Sequence, residues 1–312
     1  MTSFIRAVEL WVPDETGGSL EFKDGLYADE LAEFREISEL AIFAHDEGLP
    51  GKAWAARRPI ILTEFADSYF RRADEARLFG LTCGVAIPVF AGNEIRAVLG
   101  LLCGSEKDAN VGAIELWHND AEHSHELTLV DGYYGAAHNF EFNSRHTSIP
   151  RGYGLPGRAW KADEPVIIDD LGESGQFMRA REAAGAGIDV GLAIPYTTSA
   201  SETWVITFLS AGTTPIARRF EIWKAAGGAL CFQAGHCSSG ADLAAVFAGK
   251  TIDKGEGALG QAWASGLPVI APNLASDGCC AARAAVKAGL KQAVVLPVMR
   301  DGAVSAAIAW YP

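Results

Sequence analysis

The stretch RGYGLPGRAW, residues 151–160, places Gly152, Gly154 and Gly157 in the G-x-G-x-x-G spacing of dinucleotide-binding turns. Such glycines serve phosphate chemistry when they close a strand and open a long helix whose N-terminus meets the pyrophosphate. Here Pro156 interrupts the motif, and Pro165 ends any following helix within about two turns. The glycines read instead as a structural turn. A second candidate is the thiol pair Cys279 and Cys280. Both follow Ser276 and Asp277, which could cap a helix, so both would lie in its first turn, where unpaired N–H groups favour thiolate. The plain alternative is a small buried hydrophobe. Arg72, Arg179, Arg181 and Arg283 could each clamp a carboxylate or phosphate, or lie solvated on an amphipathic helix. In WHNDAEHSHEL, His123 and His125 would share a strand face beside acidic residues and could hold a metal, but the segment, which begins at Trp117 and also contains His118, reads more simply as a polar hairpin turn.

These residues sit in a repeating frame. VELW, IELW and FEIW end at Trp11, Trp117 and Trp223, with spacings of 106 and 106 residues. GLPGKAW, GLPGRAW and GALGQAW end at Trp54, Trp160 and Trp263. Pro59, Pro165 and Pro268 keep step, and so do Pro88, Pro195 and Pro297. Shared order at four anchors divides the chain into three domains of about 100 residues, 1–109, 110–214 and 215–312. Each opens with period-two alternation and a polar turn, which predicts a β-hairpin. A variable polar stretch follows. Next come a short helix carrying the repeated Trp, a brief strand, and a helix that Ser68, Ser174 or Ser276 could cap and Gly80, Gly187 or Gly289 could end. Two apolar strands complete the unit. With few full crossover helices, the sheet is expected to be mostly antiparallel with short helices and loops on one face, an α+β unit three times over.

The order of hairpin, GxGLPGxAW, PVII-D, a helix ending in AG, AIPV and a closing strand resembles the GAF domain family across essentially all of the chain. The resemblance implies a glycine turn beside a ligand pocket, and small-molecule sensing, signalling or dimerisation as activities. No repeat carries the N-K-x-n-F-x3-D-E motif of cyclic-nucleotide-binding members. Phytochrome-like members attach a bilin through a Cys near the position of Cys280, but Ala281 stands where they often have His. Members that reduce free methionine sulfoxide use loop cysteines; here the first repeat has Cys83 and Cys103 and the second has none. The long helices that flank signalling members have no counterpart, so the second sheet face is expected to be covered by inter-domain packing or a homo-oligomer.

The whole composition agrees with this frame. With 312 residues, 49% hydrophobic and 21% charged, the chain can bury substantial cores. A net charge of -13 without any Lys/Arg run disfavours nucleic acid and anionic membranes. Neither a leader-like start nor a membrane-length apolar run is present, so the expected location is the cytoplasm. Six cysteines at uneven spacing are expected to be reduced thiols. The expectation is a non-catalytic sensing or signalling protein acting through a partner or by oligomerisation. The alternatives are a thiol-dependent redox enzyme centred on Cys279 and Cys280 and a purely structural interaction scaffold. Pocket candidates are Trp54, Arg72, Cys83, Trp160, Phe177, Arg181, Trp263, Cys280 and Arg283. No ligand or cofactor is specified, and no metal is expected.

Overall fold

A computed structural model describes residues 3–104, 110–197 and 201–312. The first repeat runs β1 (Ile5–Pro13), β2 (Ser19–Tyr27), α1 (Ala32–Glu39), β3 (Ile42–Ala44), α2 (Gly48–Ala56), β4 (Ile60–Leu62), α3 (Ala73–Leu78), β5 (Leu81–Ala91) and β6 (Glu94–Gly104). The second has β7 (Val111–Asp120), β8 (Glu126–Gly135), α4 (His138–Arg145), β9 (Ser148–Pro150), α5 (Gly154–Ala162), β10 (Val166–Ile168), α6 (Ala180–Ala186), β11 (Ile188–Thr197) and β12 (Glu202–Ala211). The third has β13 (Arg219–Ala226), β14 (Ala229–Cys237), α7 (Leu243–Phe247), β15 (Thr251–Ile252), α8 (Gly257–Ser265), β16 (Val269–Ala271), α9 (Cys280–Lys287), β17 (Ala293–Arg300) and β18 (Ala303–Tyr311).

Each repeat forms one six-stranded sheet with one topology. The orders are β3-β2-β1-β6-β5-β4, β9-β8-β7-β12-β11-β10 and β15-β14-β13-β18-β17-β16. In each, an antiparallel hairpin opens the repeat and its first strand also pairs with the last, as β13 does with β14 and β18. The fold is thus α+β with three curled antiparallel sheets. Among the described residues no helix is long and apolar enough to cross a membrane. The segment between β6 and β7 includes residues 105–109, which lie outside the described residues, whereas 212–218 joins β12 to β13 without a helix.

The helices lie where the Gly/Pro punctuation puts them, but the caps differ from expectation. α3, α6 and α9 start at Ala73, Ala180 and Cys280, so Arg72, Arg179 and Cys279 hold the cap positions. Ser68 and Ser174 are too far upstream; their hydroxyls accept from Phe70 and Gln176 instead. Ser276 closes a single 3-10 turn by donating to the Asn273 carbonyl. Gly80, Gly187 and Gly289 do adopt the left-handed conformation that stops the helix, with φ of 69°, 73° and 79°.

The chain forms two compact units, Met1–Arg6, Ala55–Ala86 and Leu101–Ile216 in one, and Ala7–Trp54, Ile87–Gly100 and Ala217–Pro312 in the other. Within the first unit, both faces of the second sheet are buried. Strand parity sends Val205 and Leu209 to the helix-covered core and Trp204, Ile206 and Phe208 to the opposite face. On that opposite face lie segments of the first repeat. β4 packs on β7 and β8, and the Arg58 guanidinium stands 4.0 Å from the Trp204 ring. The chain junctions meet in the same unit. Phe4 N–H donates to the Pro215 carbonyl, Val111 N–H donates to the Thr214 hydroxyl, and the Phe4 and Tyr133 rings sit 5.4 Å apart.

Candidate functional site

The glycine turn closes on itself in all three repeats. The N–H of Asp46, Gly152 or Gly255 donates to the carbonyl of Gly51, Gly157 or Gly260 at 3.0, 2.7 and 2.8 Å. A Cβ on the last glycine would stand 2.1, 2.3 or 2.2 Å from the carbonyl oxygen of Ala44, Pro150 or Asp253. Only glycine fits there. The lead position has φ of 66° at Asp46, 91° at Gly152 and 84° at Gly255. Asp tolerates that left-handed region better than most side chains, which explains how the first repeat dispenses with its lead glycine. With these N–H groups already used, the turn does not present the free donors of a phosphate cradle. Its side chains instead cap the repeated Trp: His45 meets Trp54 edge-on at 4.9 Å, while the cations of Arg151 and Lys254 lie 5.5 and 5.0 Å from the rings of Trp160 and Trp263.

Beneath the helices, every repeat buries a carboxylate two residues before the strand Trp. Period two puts both side chains on one face. Glu9 accepts from Trp11 Nε1 at 3.2 Å and from the Tyr27 hydroxyl at 2.9 Å. Glu115 accepts from Trp117 Nε1 at 3.0 Å, the Tyr134 hydroxyl at 3.1 Å and the Thr207 hydroxyl at 3.1 Å. Arg179, at the α6 cap, reaches across to it as a fork, with Nη1 on Oε1 and Nη2 on Oε2, while also donating to the α4 Ser144 hydroxyl. Glu221 accepts from Trp223 Nε1 at 2.7 Å and from the Tyr311 hydroxyl at 3.1 Å, and its ion-pair partner is Arg219.

The second and third clusters titrate in opposite directions. Burial pushes Glu115 up, but Arg179, with Ser144 and Trp117, outweighs it and holds the carboxyl below the ordinary 4.5. Burial also pushes Glu221 up, and there Arg219, Trp223 and Tyr311 offset it incompletely, so it stays above 4.5. Two substitutions account for the difference. The residue paired across from Glu115 is Thr207, whereas Ala309, with no donor, stands across from Glu221. The third repeat's arginine comes from two residues earlier on the same strand and meets Glu221 through Nη2 against Oε1 alone, while Arg219 Nε, like Arg179 Nε, has no hydrogen-bond partner.

The expected pocket residues divide accordingly. Phe177 is buried beside the second cluster, its ring 5.1 Å from the Arg179 guanidinium. Arg181 is exposed; the inward arginine is Arg179, because the helix starts there. Arg283 is also exposed and turns back to the Gly278 carbonyl. Arg72 is buried with its guanidinium 5.3 Å from the Phe70 ring. Trp263 belongs to the buried core of the third repeat, Trp160 packs against that of the second, and Trp54 is half-buried. Cys83 is the counterpart of Val190; Gly191, next along, faces Leu155 and Leu171 in the core, so Cys83 lies on the far face of its sheet. Cys280 is half-buried.

The thiols depart from expectation. All six cysteines are free. Cys279 Sγ does cap α9 by accepting from the Ala282 N–H, yet burial pushes its thiol up to about 12, and Asp277 adds to that. Cys280 is likewise pushed up, first by burial and then by Glu256. Desolvation and acidic neighbours win over the helix terminus. His123 and His125 are exposed in the β7–β8 turn, where His123 Nδ1 lies 2.6 Å from Asp120. His118 instead lies on β7, stacked on Trp204. The buried glutamates were not among the expected site residues. Their signal was present in the repeated E-L/I-W, a charge on the same parity as a core Trp.

Residues 5–123 match the GAF domain family. The match spans the first sheet and β7 of the second, and the second and third sheets repeat the topology of the first. No curated protein matches the chain. Similar solved structures include the GAF domain of A. aeolicus nlh2 in an inactive state, at 20% identity over 31% of this chain and 58% of that one, with a TM-score of 0.25. The GAF domain/HD domain protein from Geobacter sulfurreducens is 16% identical over 32% of this chain and 64% of that one, with a TM-score of 0.27. Free methionine-R-sulfoxide reductase from Neisseria meningitidis in complex with its substrate is 13% identical over 32% of this chain and 52% of that one, with a TM-score of 0.25. The chain thus spans between 52% and 64% of the length of these three GAF-related structures.

Proposed function

We propose that this GAF protein is non-catalytic, senses a small molecule in its third repeat, and signals in the cytoplasm through a partner protein or self-association. The observation that carries the reading is that the buried Arg219/Glu221 pair lacks the fork and the threonine donor that complete the second repeat's cluster. In the second repeat a forked Arg179, with Trp117, Tyr134 and Thr207, surrounds the Glu115 carboxylate, leaving Arg179 Nε as the atom without a partner. In the third, Ala309 supplies no donor where the second has Thr207, and Arg219 Nε is buried without a partner near Tyr311. Unpaired buried polar atoms are rare in folded proteins and mark places where water or a ligand completes the bonding. A small polar molecule offering an acceptor to Arg219 Nε fits this chemistry. The protonated thiols, Cys279 buried and Cys280 half-buried, support a non-catalytic reading over a thiol-dependent enzyme.

Native mass spectrometry of protein purified from its own cells should reveal a retained small molecule, lost in Arg219→Met and kept in Arg179→Met. If no molecule is retained and no metabolite raises thermal stability, the sensor reading fails and an interaction scaffold takes its place. Turnover of a peroxide or free sulfoxide that disappears in Cys279→Ser/Cys280→Ser would replace both with the redox enzyme.

A further inference from the structure

The far face of the second sheet carries a three-layer stack that the proposed sensing site does not use. Trp204 on β12 and His118 on β7 are directly paired across the two strands. Their rings lie 4.0 Å apart at 27°, close to parallel. On Trp204 also sits the Arg58 guanidinium, 4.0 Å from the ring, carried by the segment that leads into β4. Arg58 is therefore the first repeat's hold on this face, two residues before the strand that packs on β7 and β8. His118 Nε2 and Trp204 Nε1 are buried and have no hydrogen-bond partner.

We propose that Arg58, Trp204 and His118 form a proton-sensitive latch, which keeps β4 seated on the second sheet while His118 is neutral and loosens when the imidazole gains a proton. A neutral imidazole stacks on indole as an aromatic surface. Protonation turns both ring nitrogens into donors and adds a charge, yet Nε2 is buried without a hydrogen-bond partner to receive the new proton. It also places a second cation against an indole that already carries a guanidinium. The charged groups around His118 are Arg58 from the β4 segment, Glu202 on β12 and Asp120 on its own strand. The two carboxylates favour the protonated ring, but Asp120 is already engaged by His123. Burial is the largest influence, Arg58 adds to it, and together they hold His118 below its ordinary 6.5. A base whose folded pKa is depressed stabilises the contact above the unfolded value and withdraws that support as pH falls through the folded one. The device is distinct from the third-repeat site and does not depend on it.

The test uses the full chain. NMR titration of the histidine rings, with His118 assigned through its contact to Trp204, should give a midpoint below 6.5, and Arg58→Gln should raise that midpoint. Hydrogen exchange over residues 58–62, corrected for the intrinsic effect of pH, should lose about tenfold protection between about pH 7.5 and about pH 5.5, and His118→Gln should flatten that loss. A midpoint at or above 6.5, no response to Arg58→Gln, or an undiminished loss in His118→Gln would each overturn the latch. If His118→Gln does not fold, the wild-type midpoint and its response to Arg58→Gln decide the matter.

Discussion

The second and third repeats share a topology, a buried Glu–Trp pair and a tyrosine hydroxyl on the carboxylate, yet they neutralise that carboxylate differently. In the second, Arg179 arrives from the helix layer opposite the sheet and meets both Glu115 oxygens, with Thr207 completing the shell. In the third, Arg219 lies two residues before Glu221 on the same strand, and Ala309 takes the place of the threonine. Opposition across a core permits a fork; adjacency along a strand permits only an end-on contact. One arrangement ties helix layer to sheet, and the other keeps both charges on a single strand. The lesson is that a buried charge is conveyed to the fold by where its partner is anchored, rather than by the presence of a partner.

The largest expected effect breaks the second cluster. Arg179→Met strands Glu115 without a cation in a sealed core and should cost about 3–5 kcal/mol, measured by denaturant unfolding with hydrogen exchange localising the loss to β7 and β11. Arg219→Met should cost less, about 1–3 kcal/mol, because burial already holds the Glu221 carboxyl above its ordinary value and a proton replaces the arginine more readily there than at Glu115. Equal losses in the two variants would mean that the two arginines neutralise their carboxylates equivalently.

Glycine substitutions sharpen the comparison at the turns the two repeats share. Gly157→Ala and Gly260→Ala both push a Cβ into a backbone carbonyl, 2.3 and 2.2 Å away, and should destabilise by about 1–3 kcal/mol or more. Gly255→Asp should cost only about 1 kcal/mol, since Asp46 adopts that left-handed conformation in the first repeat and nothing lies within 4 Å of the new Cβ. Thermal unfolding of the three variants ranks them directly.

The smallest effect is one of sign. Glu115 titrates below 4.5 in the fold, so its stabilisation is complete above about pH 4.5 and declines as pH falls through the folded value. Glu221 titrates above 4.5, so its repeat is favoured while the carboxyl is protonated and loses stability as pH rises from about 4.5 through the folded value. Amide protection of β7 and β13 followed across this range should therefore slope in opposite directions. Parallel slopes would mean that the two carboxylates are equivalent after all.

Much of this architecture is legible in the sequence. Recurring Trp, Gly and Pro anchors reveal three copies of one unit because each marks a backbone requirement, and backbone requirements act locally. The opening hairpins, the short Trp-bearing helices and the left-handed helix stops at Gly80, Gly187 and Gly289 followed from alternation and punctuation alone. Cap identity did not, because Ser68 and Ser174 are plausible caps in any sequence and only the path of the loop shows that the helices begin several residues later.

What the sequence by itself determined, then, was the repeat, the antiparallel α+β unit, the glycine turn and the places of its charges along the chain. Tertiary structure alone decided which charges meet. Arg179 faces inward while Arg181 faces solvent, a choice made by helix phase. Cys279 stays a thiol because burial and Asp277 prevail over the helix end. His118, from a segment that resembles a polar turn, ends beneath an indole and a guanidinium contributed by residues far apart in sequence. Periodicity and turn chemistry are properties of neighbouring residues, and a sequence displays them. Desolvation and charge pairing depend on what is packed within a few ångströms from elsewhere in the chain, and that exists only once the chain has folded.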